Sequence, residues 1–274
     1  MTSNEQILVI GGTGKTGRRV ADRLRGRGIP VRVGSRAGTP RFDWADRTTW
    51  APALAGARAA YVSFYPDLAV PGSPALIGEL ARVAADAGVG HLVLLSGRGE
   101  EEAQASEAAL AAAVDGTGTA WTVVRASWFM QNFSEAFMAD GVREGTVVLP
   151  AGDVPEPFVD CDDVADVAVA ALTGETPSGR VYEVTGPRAL TFAEAVQEIA
   201  KAAGREIAFV PVPLDAYAAE LPAYGLGEEE IALITYLFGE VLDGRNVATT
   251  TGVREALGRE PRDFADYARD TTWG

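Results

Sequence analysis

Gly11, Gly12, Gly14 and Gly17 stand in the stretch GGTGKTG, directly behind the apolar run ILVI at 7–10. Two chemistries use such a loop. A Walker loop, G-x-x-x-x-G-K-[ST], wraps the phosphates of a nucleoside triphosphate. Gly14, Lys15 and Thr16 match its end, but its first glycine would fall on Val9, inside the apolar run. A dinucleotide loop fits instead: Gly12, Gly14 and Gly17 read G-x-G-x-x-G, and Gly11, Gly14 and Gly17 read G-x-x-G-x-x-G. Glycine serves there for a tight turn, for close approach of backbone to a pyrophosphate and for close helix–strand packing. The N–H groups at the helix start then hold the anion. The expected cofactor contacts are Gly11, Thr13, Gly14, Lys15, Thr16 and Gly17. Lys15 is either a further phosphate contact or a solvated charge on the first helical turn.

The end of the next strand separates NAD from NADP. An NAD site places Asp or Glu there, about 20 residues beyond the fingerprint, on the ribose 2′-hydroxyl. Here the chain reads VRVGSRAG, with Ser35 and Arg36 and no acid. A guanidinium is a charged, forked donor that suits a 2′-phosphate. NADP is the expected cofactor.

These residues need elements to hold them. The apolar runs at 7–10, 31–35, 59–64, 91–96 and 121–127 alternate with helical patterns, and RFDW at 41–44 reads as a further short strand. Continuous apolar strands between helices indicate a parallel sheet covered on both faces, and right-handed crossovers make it a doubly wound Rossmann sheet. The expected fold class is α/β, with a Rossmann domain over 1–150 and a smaller C-terminal α/β substrate lobe over 151–274 that shares its core. In the second part RVYEVTG reads as a strand, and LTFAEAVQEIAKAAG opens with Thr191 and Glu194 as a capping box.

Composition sets limits. The 274 residues carry a formal net charge of -14, which opposes a nucleic-acid or anionic-membrane partner. The single cysteine, Cys161, rules out an internal disulfide and fits a reducing compartment. No apolar run approaches the ~20 residues of a membrane span, and no secretory signal is visible. The expected location is cytoplasmic. The one histidine, His91, enters an apolar strand and reads as structural. No metal site is expected, and self-association is left open.

Five stretches carry a resemblance: ILVIGGTGKTGRRVADRL, GVGHLVLLSGRG, TVVRASWFMQNF, PFVDCDDVADVAVAAL and YEVTGPRALTFAEAVQEIA. Together they resemble the NmrA-like group of atypical short-chain dehydrogenases/reductases, in family order and over nearly the whole chain. The resemblance implies an NADP-binding Rossmann domain with a C-terminal substrate lobe. It implies that Asp43 and Trp44 lie near the adenine, and that the loops after YVSF (ending in Phe64), VLLS and VVRAS surround the nicotinamide. It places a substrate-binding serine at Ser96.

The chain also departs from that superfamily. Its usual engine is a Tyr-x-x-x-Lys pair, in which the tyrosine protonates the substrate oxygen. The only lysines are Lys15 and Lys201, and no tyrosine has a lysine four residues on. Ser96 is then the expected catalytic contact, as a hydrogen-bond partner of a carbonyl. Trp128, Phe129 and Phe133 either wall an apolar substrate pocket or pack a core, with Gln131 and Asn132 as polar contacts. Tyr65 either faces that pocket or packs on the surface. The leading reading is an NADPH-dependent reductase of a ketone, quinone or imine, with an aromatic or carbonyl small molecule as substrate. The other is a non-catalytic NADP sensor that binds a protein partner.

Overall fold

The run QILVI carries four nearly unexposed residues in succession, Ile7 to Ile10, as a strand buried on both faces must. In the computed structural model, which describes residues 6–273, this is β1 (Gln6–Ile10). The chain continues through α1 (Lys15–Gly26), β2 (Val31–Gly34), α2 (Trp50–Leu54), β3 (Ala57–Val62), α3 (Ser73–Asp86), β4 (His91–Gly97), α4 (Glu101–Val114) and β5 (Ala120–Ala126). Then come α5 (Asn132–Glu135), α6 (Ala139–Glu144), β6 (Thr146–Leu149), α7 (Cys161–Thr173), β7 (Arg180–Val184), α8 (Phe192–Ala203) and β8 (Ala208–Pro211). The last helices are α9 (Leu214–Glu220), α10 (Glu228–Tyr236), α11 (Gly252–Leu257) and α12 (Phe264–Asp270).

Six strands form one parallel sheet in the order β2-β1-β3-β4-β5-β7. The order reverses between β1 and β3, and the glycine loop leaves β1 at that switch point, where open α/β sheets bind ligands. The expected doubly wound Rossmann sheet is therefore present. One of its faces packs Leu92 and Leu94 of β4 against Ile77 and Leu80 of α3 and Leu110 and Val114 of α4.

The chain divides into two compact units, and neither is continuous. The first comprises the chain up to Ala126, then Cys161–Val184 and Gly252–Arg259. The second comprises Ser127–Asp160, Thr185–Thr251 and the chain from Glu260 onward. The sequence reading set one boundary at 150; in the structure the chain leaves the first unit at Ala126 and returns twice. The physical reason is β7, which pairs with β5 from Thr122↔Arg180 to Ala126↔Val184 and so supplies the sixth strand of the Rossmann sheet. Each unit contains an apolar cluster of buried residues. In the second unit the cluster is aromatic, with Phe133, Phe158, Phe192 and Phe264 all essentially unexposed. Beside it β6 and β8 form a two-stranded parallel sheet.

Two local readings resolve differently. RFDW forms no strand, only an isolated bridge from Asp43 to Asp46. The backbone there is held instead by side chains: the Asp43 N–H donates to Thr49 Oγ1 at 3.0 Å, and Trp50 Nε1 donates to the Asp43 carbonyl at 2.8 Å. The capping box of α8 forms as read, with the Thr191 hydroxyl accepting from the Glu194 N–H at 3.1 Å and Glu194 Oε2 accepting from the Thr191 N–H at 2.8 Å. His91 is structural: it shares a hydrogen bond of 2.9 Å with the Thr122 hydroxyl, and burial lowers its pKa. No helix among the described residues is long and apolar enough to cross a membrane, and no three metal-ligating side chains converge among them.

Candidate active site

The glycine loop shows what each glycine is for. Gly11 has φ +73°, a left-handed conformation that side chains resist. A Cβ on Gly12 would lie 2.9 Å from Val33 Cγ1 of β2 and 3.0 Å from the Val9 carbonyl oxygen. A Cβ on Gly17 would lie 2.2 Å from the Gly11 carbonyl oxygen, so only glycine lets α1 start this close to its strand. Gly14 differs. It is exposed, and a Cβ there would meet only the Gly11 carbonyl oxygen, at 3.2 Å. Its side is open for a ligand.

Helix α1 begins at Gly14 with no capping side chain and no acid in its first turn. Twelve residues of aligned peptide dipoles therefore end in N–H groups turned to the loop, the arrangement that attracts phosphate. Thr13 is exposed beside it. Thr16 is not: its hydroxyl accepts from the buried Tyr61 hydroxyl at 2.9 Å, which ties α1 to β3. Its side chain is thereby engaged within the fold. Lys15 carries an electrostatic interaction with Asp67 and is not simply a solvated charge.

At the end of β2, Ser35 is partly exposed and Arg36 exposed. Arg36 lies over the Tyr65 ring, 5.9 Å from its centroid. Tyr65 is 65% exposed, so its hydroxyl is on the surface of this unit. Asp43 is partly exposed; its carboxylate accepts from the Ala45 N–H at 3.1 Å and from Arg41 at 2.5 Å, and these donors hold its pKa low. Trp44 packs on Phe64 with centroids 4.6 Å apart, on Phe42 at 5.1 Å and on Trp50 at 5.8 Å. Trp44 and Phe64 remain partly exposed at the margin of that cluster.

Ser96 lies at the carboxyl end of β4. Side chains alternate along a strand, so Ser96 shares a face with Leu92 and Leu94, the face covered by α3 and α4. Its hydroxyl donates to Glu107 Oε1 of α4 at 2.6 Å, and it is 4% exposed. Glu107 also receives Arg125 through Nε at 2.9 Å and Nη2 at 2.5 Å. Arg125 and Arg98 both reach Glu183 of β7, at 3.4 and 2.6 Å. The Glu107 pairing raises the Arg125 pKa, so that guanidinium stays charged. This network ties β4, β5 and β7 at their carboxyl ends. Sequence reading missed it because one of its bonded pairs, Arg98 and Glu183, lies 85 residues apart.

The expected substrate contacts in the second unit divide. Phe133 is fully buried against Phe158, Phe192 and Phe264, with centroids 5.6, 6.1 and 5.6 Å away, and packs a core. Gln131 is 2% exposed and donates through Nε2 to Asp160 at 2.7 Å, which Arg262 also reaches at 2.9 Å. Neither is available to a substrate. Trp128, Phe129 and Asn132 are partly exposed. Trp128 rests edge-on against Phe192 at 5.4 Å and keeps a free margin.

The residues of the loop fit a pyrophosphate: an open glycine at the start of an uncapped helix, with a cation on its first turn and a guanidinium at the end of β2. Fold and loop together define a Rossmann-type protein with a dinucleotide loop. A family model described as the NmrA-like family matches residues 41–268. The chain belongs to the NmrA-like family. It is 34% identical to the (4-alkanoyl-5-oxo-2,5-dihydrofuran-3-yl)methyl phosphate reductase of Streptomyces griseus, over 96% of this chain and 97% of that one. It is 32% identical to the agroclavine dehydrogenase of Claviceps fusiformis, over 96% of each. Among solved structures, a triphenylmethane reductase of Citrobacter sp. complexed with NADP(H) superposes with a TM-score of 0.73 at 19% identity, over 97% of this chain and 100% of that one. That likeness is one of fold.

Proposed function

We propose that the protein uses NADPH to reduce a small molecule that carries a ketone, quinone or imine, with an aromatic or otherwise apolar body. The observation that carries this reading is the open start of α1 joined to the Ser35–Arg36 pair at the end of β2. The two relatives named as a reductase and a dehydrogenase support the reaction type, and the partly exposed Trp128 and Phe129 support an apolar substrate. The cofactor, when bound, supplies a hydride. This chain's residues bind and orient it: backbone N–H groups of 14–17 and Lys15 hold the pyrophosphate, and Arg36 and Ser35 hold the 2′-phosphate. Orientation against an electrophilic carbon is the main requirement of hydride transfer. The lone buried cysteine fits a cytoplasmic setting.

The test is acceptor-dependent loss of NADPH absorbance across aryl ketones, naphthoquinones and cyclic iminium ions. Turnover with at least one of them, and preference for NADPH over NADH, is expected. Tight NADPH binding with no turnover of any acceptor would instead favour a sensor.

A further inference from the structure

Glu100 occupies the N-cap position of α4 but makes no cap hydrogen bond. Its side chain turns back onto the end of β4. A Cβ on Gly97 would lie 2.2 Å from both Glu100 carboxyl oxygens, so the carboxyl rests in the space that a side chain at 97 would fill. Glu100 is 8% exposed, and no donor among the described residues reaches its Oε2. What faces it is Asp67, from the loop after β3, within hydrogen-bonding reach. Asp67 accepts the Ala69 N–H at 2.9 Å, feels the charge of Lys15 from the glycine loop, and is partly exposed.

Two carboxylates are both acceptors, and a buried pair of them is satisfied only when one proton lies between them. Burial pushes the Glu100 carboxyl well above the usual range, with Asp67 and then Glu107 adding like-charge repulsion. Burial also raises Asp67, while its backbone donors, Glu100 and Lys15 oppose that rise. The favoured arrangement has the proton on Glu100, donated to Asp67. Three loops meet here, those after β1, β3 and β4, at the carboxyl end of the sheet where the dinucleotide loop lies.

We infer that the Asp67–Glu100 pair is the proton source that stands in for the missing Tyr–Lys pair, with Glu100 as the acid. The inference rests on the reductase reading and narrows its substrates to acceptors whose oxygen needs a proton, a ketone or a quinone. The acceptor takes a hydride, with its electron pair, from NADPH and a proton from Glu100, which becomes a carboxylate. The C=O bond becomes C–OH and NADPH is oxidised to NADP⁺. Asp67, the less buried member, returns a proton from solvent. An iminium ion needs hydride alone and gains nothing from the pair.

The experiment pairs infrared spectroscopy with single-turnover kinetics on the full chain. At neutral pH the NADPH-bound parent should show a protonated-carboxyl C=O band that disappears in Glu100→Gln. With a naphthoquinone or aryl ketone, Glu100→Gln should slow reduction about 10²–10⁴-fold, the usual weight of a general acid, and remove the solvent isotope effect. Reduction of a dihydroisoquinolinium probe by the same variant should stay within a few-fold of the parent, which also shows that the variant is folded. Gly97→Ala, which pushes the carboxyl from its seat without removing it, should reproduce the defect. If Glu100→Gln does not fold, Asp67→Asn with the parent's infrared band decides. A parent with both carboxyls ionised, a variant with unchanged quinone and ketone rates, or a parent that reduces only the iminium would each overturn the inference and leave the reductase reading standing. A parent that binds NADPH and reduces no probe sinks both.

Discussion

The Ser96 hydroxyl donates to Glu107 Oε1 at 2.6 Å, on the face of the sheet covered by α3 and α4. A serine so placed acts as a strut between β4 and α4. Ser96→Ala should therefore lower stability by about 1.5–3 kcal/mol, the range for a hydrogen bond to a charged group. Single-turnover hydride transfer in the folded variant should stay within about fivefold, well under the weight of a general acid. Urea unfolding and stopped-flow absorbance measure the two. A thousandfold kinetic loss at normal stability would return Ser96 to the substrate.

Gly14 and Gly17 should separate binding from folding. Gly14→Val should leave a folded protein that does not bind NADPH, because the new side chain occupies the open side of the loop. Gly17→Ala should unfold more readily, by about 1–3 kcal/mol, since its Cβ meets backbone at 2.2 Å that must move. Thermal unfolding with and without NADPH distinguishes them: only the parent and a surviving Gly17 variant should gain stability from the ligand. Undiminished NADPH binding by Gly14→Val would remove the loop from the site.

Arg36→Ala should weaken NADPH by about 1.5–3 kcal/mol and leave NADH almost unchanged, as expected of a charge-assisted contact to a 2′-phosphate. Fluorescence titration with both cofactors is the check. Equal affinities in the parent protein would contradict the assignment to NADP.

Tyr65→Phe should cost less than about tenfold in hydride transfer, far below the loss of an acid. The hydroxyl is on an exposed ring, and the ring itself, which carries Arg36, is retained. A loss of a thousandfold would make Tyr65 the acid.

Glu100→Gln should change how stability depends on pH. A carboxyl with a raised native pKa binds its proton more tightly folded than unfolded, so its contribution is full below the ordinary glutamate range, roughly pH 4.3, and declines as pH rises through the native value. The variant, which does not titrate, should therefore gain stability over the parent as pH rises above the ordinary glutamate range, roughly pH 4.3, and differ little below it. Melting curves across these pH values give the slope. A parent whose relative stability rises with pH would mean that Glu100 is held as a carboxylate.

The sequence made the Rossmann sheet readable because buried parallel strands and the glycine loop are local patterns. Gly11, Gly14, Gly17, Ser35 and Arg36 all fall within one βαβ unit. The outcome for Ser96 shows where local reading stops: its position at a strand end was visible, but its face depends on pairing with α4. Gln131 read as a polar contact, and Phe133 stayed open between pocket wall and core, because their partners, Asp160, Phe158, Phe192 and Phe264, come from distant segments. The unit boundary was hidden for the same reason, since nothing local says that RVYEV returns to the sheet. Asp67 and Glu100 lie 33 positions apart in polar loops, and only the seat above Gly97 singles them out.

The central claim is that this chain moves a hydride from NADPH to a bound acceptor. The most direct measurement is single-turnover oxidation of NADPH deuterated at the transferring C4 position, followed in the stopped flow with an aryl ketone or a naphthoquinone. Acceptor-dependent oxidation with a primary isotope effect is expected, with deuterium on the carbinol carbon of the ketone product. Saturated NADPH binding with no oxidation above the enzyme-free rate, for either acceptor, would contradict the central claim.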